Sequence, residues 1–130
     1  MIVDTSVLIA LLREEPEAER FVSIMIREPG NLRIAAANYL EAAIVTDSNG
    51  SELLSARLGE LMDFFHIDVI PVSRYHADIA RKAYRTYGRG HHPARLNFGD
   101  CFAYALSKTS GEPLLFKGDD FAATDIVAAA

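Results

Sequence analysis

Short apolar runs alternate with helically spaced apolar positions along this chain. Met1-Ile2-Val3 opens it as a strand over 1–4, and Val7, Leu8, Leu11 and Leu12 then recur with helical spacing. A second helix is expected to start near Pro16, a residue tolerated in a first turn, with Phe21, Ile24 and Met25 on its apolar face. The turn Glu28-Pro29-Gly30-Asn31 leads into a strand from Leu32 to Ala35, followed by the helix that carries Glu41 and breaks at Asp47-Ser48-Asn49-Gly50. Leu54, Leu58, Leu61 and Phe65 mark an amphipathic helix, and Ile67 to Val72 reads as a strand that Pro71 ends. Ser73 is placed to cap a helix running to about Gly88. The loop Gly88 to Pro93 precedes a helix from Phe98 to Ser107, and Gly111-Glu112-Pro113 turns the chain into a strand at 114–117. Strands alternating with helices predict an α/β fold with a mostly parallel central sheet and right-handed crossovers.

At 130 residues the chain is expected to form one domain, 1–130, large enough to bury roughly two-thirds of the surface its unfolded form exposes. Half of its residues are hydrophobic and 24% are charged, a globular composition. No apolar run nears the roughly 20 residues that cross a bilayer, and nothing resembles a secretory leader. A cytoplasmic protein without membrane partners is expected. Cys101, the single cysteine, sits in Asp100-Cys101-Phe102-Ala103 and reads as packed helix. Net charge is −5, which argues against indiscriminate nucleic-acid binding, but residues 74–95 hold Arg74, Arg81, Lys82, Arg85, Arg89 and Arg95 against one acid, Asp78. This basic helix is either a solvated face or a grip for phosphates, with Arg81, Arg85 and Arg89 the candidate contacts.

The most informative residues are acidic. Asp4 closes the first strand and Asp119 follows the last, so both stand at strand ends where parallel sheets bind ligands. Glu41 interrupts the apolar stretch Tyr39 to Val45, where an acid is rarely left without a partner. Asp100 completes the set. Each has an ordinary alternative: Asp4 can cap the helix after it, Asp100 can pair with Asn97 in a capping arrangement, and Asp119 and Asp120 can be turn residues. Glu41 has no capping role, and the topology sends all four toward one edge of the sheet. Converging carboxylates repel, and a hard cation relieves the repulsion. His91-His92 has no second pair at zinc spacing, Ser6 lacks a nucleophile elbow, and no phosphate-binding or dinucleotide glycine motif is present.

On Met1-Ile2-Val3-Asp4-Thr5-Ser6, Tyr39-Leu40-Glu41, Leu96-Asn97-Phe98-Gly99-Asp100-Cys101 and Leu114 to Phe121, the chain resembles PIN-domain ribonucleases, specifically the VapC-type toxins of toxin–antitoxin pairs. The resemblance implies a PIN-like three-layer α/β/α fold and a divalent-metal-dependent endoribonuclease. It also implies Asp4, Glu41 and Asp100 as catalytic acids, with Thr5 or Ser6 and Asn97 in support. Asp4 and Asp100 are expected to ligate Mg²⁺, or Mn²⁺, directly. The fourth acid is Asp119 or Asp120; Asp119, nearer the strand end, is preferred, with Asp120 in support. RNA is the expected substrate, and an antitoxin and a second copy of the chain are the expected protein partners. The helical faces at 16–27 and 51–65 supply apolar surface for such contacts. Two rivals stand beside this reading: a Mg²⁺-dependent phosphoacceptor signalling module, with Lys117 beside the last strand, and a PIN-like domain that has kept only protein-binding surfaces.

Overall fold

In the computed structural model, which describes residues 1–130, β1 (Ile2–Val3) leads into α1 (Thr5–Leu12) and α2 (Ala18–Met25). Then come β2 (Arg33–Ala35), α3 (Ala36–Ser48), α4 (Glu52–Phe64), β3 (Asp68–Ile70), α5 (Arg74–Tyr87), α6 (Phe98–Ser110) and β4 (Leu114–Leu115), with a 3₁₀ turn at Phe121–Ala123. Side-chain caps start the helices where the polar residues predict. Ser51 caps α4, and Ser73 forms a reciprocal box with His76 at the head of α5. Gly111, at φ +69°, ends α6 in the left-handed conformation that a residue without Cβ tolerates.

All four strands are parallel and ordered β3-β2-β1-β4. Successive strand residues point to opposite sides, and each side has its own core. Val3, Ile34 and Leu115 pack with Val7 and Leu8 of α1, Phe21 and Met25 of α2, and Leu58 and Met62 of α4. Ile2, Ala35 and Leu114 pack instead with Ala80 and Ala83 of α5 and with Cys101, Ala103 and Ala105 of α6. The result is the expected three-layer α/β/α sandwich. The outer side of β4 is covered by the tail, where Ala128 bridges Leu114 in parallel and the Leu114 amide donates to the Val127 carbonyl at 2.9 Å.

Because the chain leaves β1 toward β2 on one side and later returns to β4 on the other, the carboxyl end of β1 is the sheet's switch point. Crevices form there. The strands are shorter than the apolar runs predict, because Asp4 is already turning into α1 and Pro71 lies beyond the last paired residue of β3. The second helix starts at Ala18 rather than near Pro16, which lies in the turn closed by the Ala18 amide donating to the Glu15 carbonyl. The 16–27 face is mostly spent on the core through Phe21 and Met25, and only Ile26 remains well exposed. No helix is long and apolar enough to cross a membrane.

Candidate functional site

Asp4 stands at the switch point. Its amide donates to the Leu115 carbonyl at 3.0 Å, which ties it to β4, and its own Oδ2 accepts from the Ser6 amide at 3.1 Å and the Ser6 hydroxyl at 2.6 Å. Asp4 therefore is the cap of α1, as its ordinary reading predicts, and it is also 4% exposed. Burial pushes its carboxyl above the usual range. The Ser6 bonds oppose that shift and the nearby charge of Glu41 adds to it. Ser6 Oγ also accepts from the Lys117 amide at 3.0 Å, so one hydroxyl joins the first acid to the segment carrying Asp119 and Asp120.

Behind Asp4, a second chain of bonds fixes the other two acids. Thr5 Oγ1 donates to the Asn38 carbonyl at 2.9 Å, and Asn38 Nδ2 donates to the Gly99 carbonyl at 2.9 Å. Asn38 is fully buried, and its Oδ1 has no partner, which leaves an acceptor for water inside the network. This asparagine links α1, α3 and α6, and sequence reasoning missed it. The available signal was an amide one turn before Glu41 in an apolar stretch. Glu41 itself is half-buried and lies against Gly99, where a Cβ would meet its Oε2 at 2.5 Å.

Asp100 sits in the first turn of α6, in a reciprocal box with Asn97. The Asn97 amide donates to Asp100 Oδ2 at 3.0 Å and the Asp100 amide donates to Asn97 Oδ1 at 2.9 Å. Its carboxyl is pushed up to about 7, first by burial and then by the charges of Asp4, Asp120 and Glu41. Asp120 therefore acts on this site electrostatically and Asp119 is not among the leading groups that do. Closeness to the strand end favours Asp119; Gly118, at φ +95°, turns the chain between the strand and both acids.

The donor set suits a hard cation. All its atoms are oxygens, two of its carboxyls are held abnormally protonatable by burial and by one another, and the box leaves Asp100 Oδ1 unused. No three of these side chains stand close enough together to grip an ion alone. One or two carboxylates completed by waters are a donor set that a hard divalent cation accepts.

Of the predicted basic residues, Arg81 and Arg89 line one groove beside α6, while Arg85 is exposed elsewhere on α5. None of the three makes an ion pair. Lys117 is held at 2.9 Å by Glu15 and at 3.4 Å by Glu17. Cys101 is buried and its thiol is pushed up to about 11 by desolvation, as expected of a structural residue. His92 Nδ1 accepts from the Ala94 amide at 3.0 Å, a loop-stabilising role.

A family model described as PIN domain matches residues 1–127. Ribonuclease VapC30 of Mycobacterium tuberculosis is 47% identical over 131 residues, spanning 100% of this chain and 98% of that protein. Ribonuclease VapC of Mycolicibacterium smegmatis is 44% identical and spans 98% of each. Among solved structures, the sarcin-ricin loop cleaving toxin VapC20 of Mycobacterium tuberculosis superposes with a TM-score of 0.75 at 18% identity, covering 97% of this chain and 95% of that one. A toxin–antitoxin complex from Klebsiella pneumoniae gives 0.72 at 18% identity, covering 99% and 97%. These two likenesses concern the fold.

Proposed function

From the premise that this chain belongs to the PIN-domain family of VapC ribonucleases, we propose that it is a cytoplasmic, divalent-cation-dependent endoribonuclease and the toxin of a toxin–antitoxin pair. One observation carries the metal-dependent part: Asp4, Glu41 and Asp120 arrive from three other parts of the chain close enough to the largely buried Asp100 for their charges, with burial, to raise its carboxyl. Bringing like charges into a desolvated crevice is costly unless a cation is to be bound.

Asp4 and Asp100 would hold the ion directly. Asp4 is immobilised for that by Ser6, and Asp100 by Asn97. Glu41, in contact with Gly99 and half-open to solvent, orients the attacking water in line with the phosphodiester, and the fourth acid, Asp120 on the electrostatic evidence, shares that task. Mg²⁺ or Mn²⁺, when bound, supplies acidification of water and neutralisation of phosphate charge. Thr5, Ser6 and Asn97 keep the carboxylates oriented.

The phosphoacceptor alternative is disfavoured because β3 runs into Ile70-Pro71-Val72-Ser73 without an acceptor aspartate, and Lys117 is already paired with Glu15 and Glu17. A binding-only domain has no need of the buried acids. Incubating the protein with total RNA and Mg²⁺ or Mn²⁺, against a chelator control, is the test: cation-dependent cleavage is expected, lost in Asp4→Asn and Asp100→Asn. Cleavage unaffected by the chelator overturns the metal-dependent reading.

Surface chemistry supports protein partners. Leu40 and Ile44, one turn apart on α3, are 57% and 55% exposed, and Leu53 and Phe64 of α4 are 62% and 70% exposed. A two-fold dimer and an antitoxin would cover such faces. An antitoxin arginine reaching the crevice can satisfy the carboxylate oxygens that otherwise take the cation, so inhibition weakens as Mg²⁺ rises. Light scattering of the purified chain, and co-purification with the product of the adjacent reading frame, test the two partners. A monomer at high micromolar concentration overturns the dimer, and a neighbour that leaves RNA cleavage unaffected overturns the toxin assignment while sparing the nuclease one.

A further inference from the structure

The first turns of α6 divide their residues between two places. Gly99 and Asp100 face the acids, whereas Asn97, Phe98, Cys101 and Phe102 line a groove of about 590 Å³ against α5. That volume falls within the roughly 300–1,000 Å³ of sites that enclose small ligand groups. Its floor is made of small side chains, including Ala80 and Cys101. Its walls are aromatic. Phe98 is 78% exposed, an unusual state for a phenyl ring, and it meets Phe102 edge-on with centroids 4.9 Å apart. Tyr84, 41% exposed on α5, donates its hydroxyl to the Arg89 carbonyl at 3.4 Å and so braces the loop at the groove's end.

The only charged residues of the lining are Arg81 and Arg89, and neither has an ionic partner. An apolar peptide seated here would desolvate two guanidinium groups with nothing to pair them. A single-stranded nucleic acid presents the complementary chemistry: flat aromatic faces that stack on rings, joined by phosphates that take arginines. Position adds to the match. The acids repel a polyanion, while the arginines lie across the same helix turn and attract it toward the crevice.

We infer that the α5–α6 groove is a nucleobase subsite, in which one unstacked base of single-stranded RNA lies on Phe98 opposite Tyr84 while Arg81 and Arg89 hold the adjoining phosphates. This deepens the ribonuclease reading and rests on it. The subsite places the strand so that a neighbouring phosphodiester reaches Asp4 and Asp100. It selects unpaired RNA, because a base held in a duplex stack cannot enter.

The test is binding of a short, mixed-sequence single-stranded RNA to the full chain, followed by fluorescence anisotropy in chelator so that no cleavage occurs. Phe98→Ala, at an exposed position, is expected to weaken binding roughly 5- to 100-fold, the range for loss of one base–aromatic stack, while Phe98→Trp retains it. An RNA with abasic sites is expected to bind the parent protein weakly and to be insensitive to Phe98→Ala. Equal binding of intact and abasic RNA, no effect of Phe98→Ala, or conversion of a dimer to a monomer by Phe98→Ala in sedimentation overturns the subsite. The underlying reading fails on a separate signal: base-dependent binding in chelator with no cleavage on adding Mg²⁺ or Mn²⁺.

Discussion

The Glu41 carboxylate lies directly on the Cα of Gly99, so close that a Cβ at position 99 would stand 2.5 Å from Oε2 and 2.7 Å from Oε1. Gly99 is in the first turn of α6 with ordinary helical backbone, so the glycine serves the approach of the acid and not the turn.

Gly99→Ala is therefore expected to separate stability from activity. Alanine favours the helix by about 0.5–1 kcal/mol, and the nearest atoms in its way are the far end of a half-exposed, flexible side chain that can swing aside. The melting temperature should hold or rise, while RNA cleavage falls at least about tenfold because Glu41 no longer sits where it orients water. Thermal melts and single-turnover cleavage on one preparation check both halves. A variant with parental cleavage removes Glu41's position from the mechanism.

Much of this was open to reading from residue order. The buried strands show as apolar runs because both faces of a parallel sheet are covered, and Ile2 and Val3, Ile34 and Ala35, Leu114 and Leu115 fill two cores in alternation. Asp4, Asn97 and Ser73 signal caps by local chemistry, and each cap is formed. What remained hidden depends on distances through space. Asn38 gains its importance only when α1, α3 and α6 meet at its amide. The choice between Asp119 and Asp120 depends on how the chain runs past the turn at Gly118, φ +95°, which sequence proximity to the strand does not convey. Leu40 and Ile44 look like core in an apolar stretch, but Asn38, Ala42 and Thr46 are the residues α3 buries and the leucine and isoleucine face outward.

Ser6→Ala deletes a hydroxyl that donates to Asp4 at 2.6 Å and accepts from the Lys117 amide at 3.0 Å. Leaving a part-buried amide without its acceptor costs about 1–3 kcal/mol. Asp4 loses the strongest interaction that opposes its burial, so its carboxyl rises further. The expected result is a lower melting temperature together with a cleavage optimum moved to higher pH, whereas Ser6→Thr restores both. A loss of stability with an unmoved pH profile would falsify the coupling of Ser6 to Asp4.

The buried acids also set a pH dependence in the metal-free protein. Asp100 is held at about 7 against an ordinary 3.8, and Asp4 is shifted in the same direction. A raised folded-state value means that the unfolded chain releases the proton first. The associated stability is complete below the unfolded value and is lost as pH rises through the folded one. Glu112 and Asp125 are lowered, so their contributions are complete above the ordinary carboxylate values and fade as pH falls from there through the folded values, which leaves the upper part of this window to Asp4 and Asp100. Chelated protein should melt at a progressively lower temperature from about pH 4 to about pH 7. Asp100→Asn, which keeps an acceptor for the Asn97 amide, should flatten that slope. Mg²⁺ at about 100 times its dissociation constant should return about 2.7 kcal/mol at the upper end.

Arg81, Arg85 and Arg89 are free of ion pairs, but only Arg81 and Arg89 share the groove. Each arginine that contacts a phosphate should lower the log–log salt slope of single-strand binding by roughly 0.7 when changed to Ala. Arg81→Ala and Arg89→Ala are expected to do so, and Arg85→Ala to leave the slope nearer the parent's. Anisotropy titrations over a series of salt concentrations measure all three, and unchanged slopes throughout would mean a merely solvated helix face.

The fourth acid can be identified through its effect on Asp100. The charge of Asp120 is among the leading ones that raise that carboxyl, and that of Asp119 is not. Asp120 also precedes the 3₁₀ turn, whereas the Asp119 carbonyl is engaged by the Ala122 amide at its base. Removing a like charge makes the remaining acid easier to ionise. Asp120→Asn should therefore shift the pH dependence of metal-free stability downward and reduce cation-dependent cleavage. Asp119→Asn should change neither, since its charge is not among the leading contributors that raise Asp100. Thermal melts across pH with cleavage assays on both variants decide the matter. If Asp119→Asn alone moves the titration and the activity, the acid nearer the strand is the functional one and the Gly118 turn must open when the cation binds.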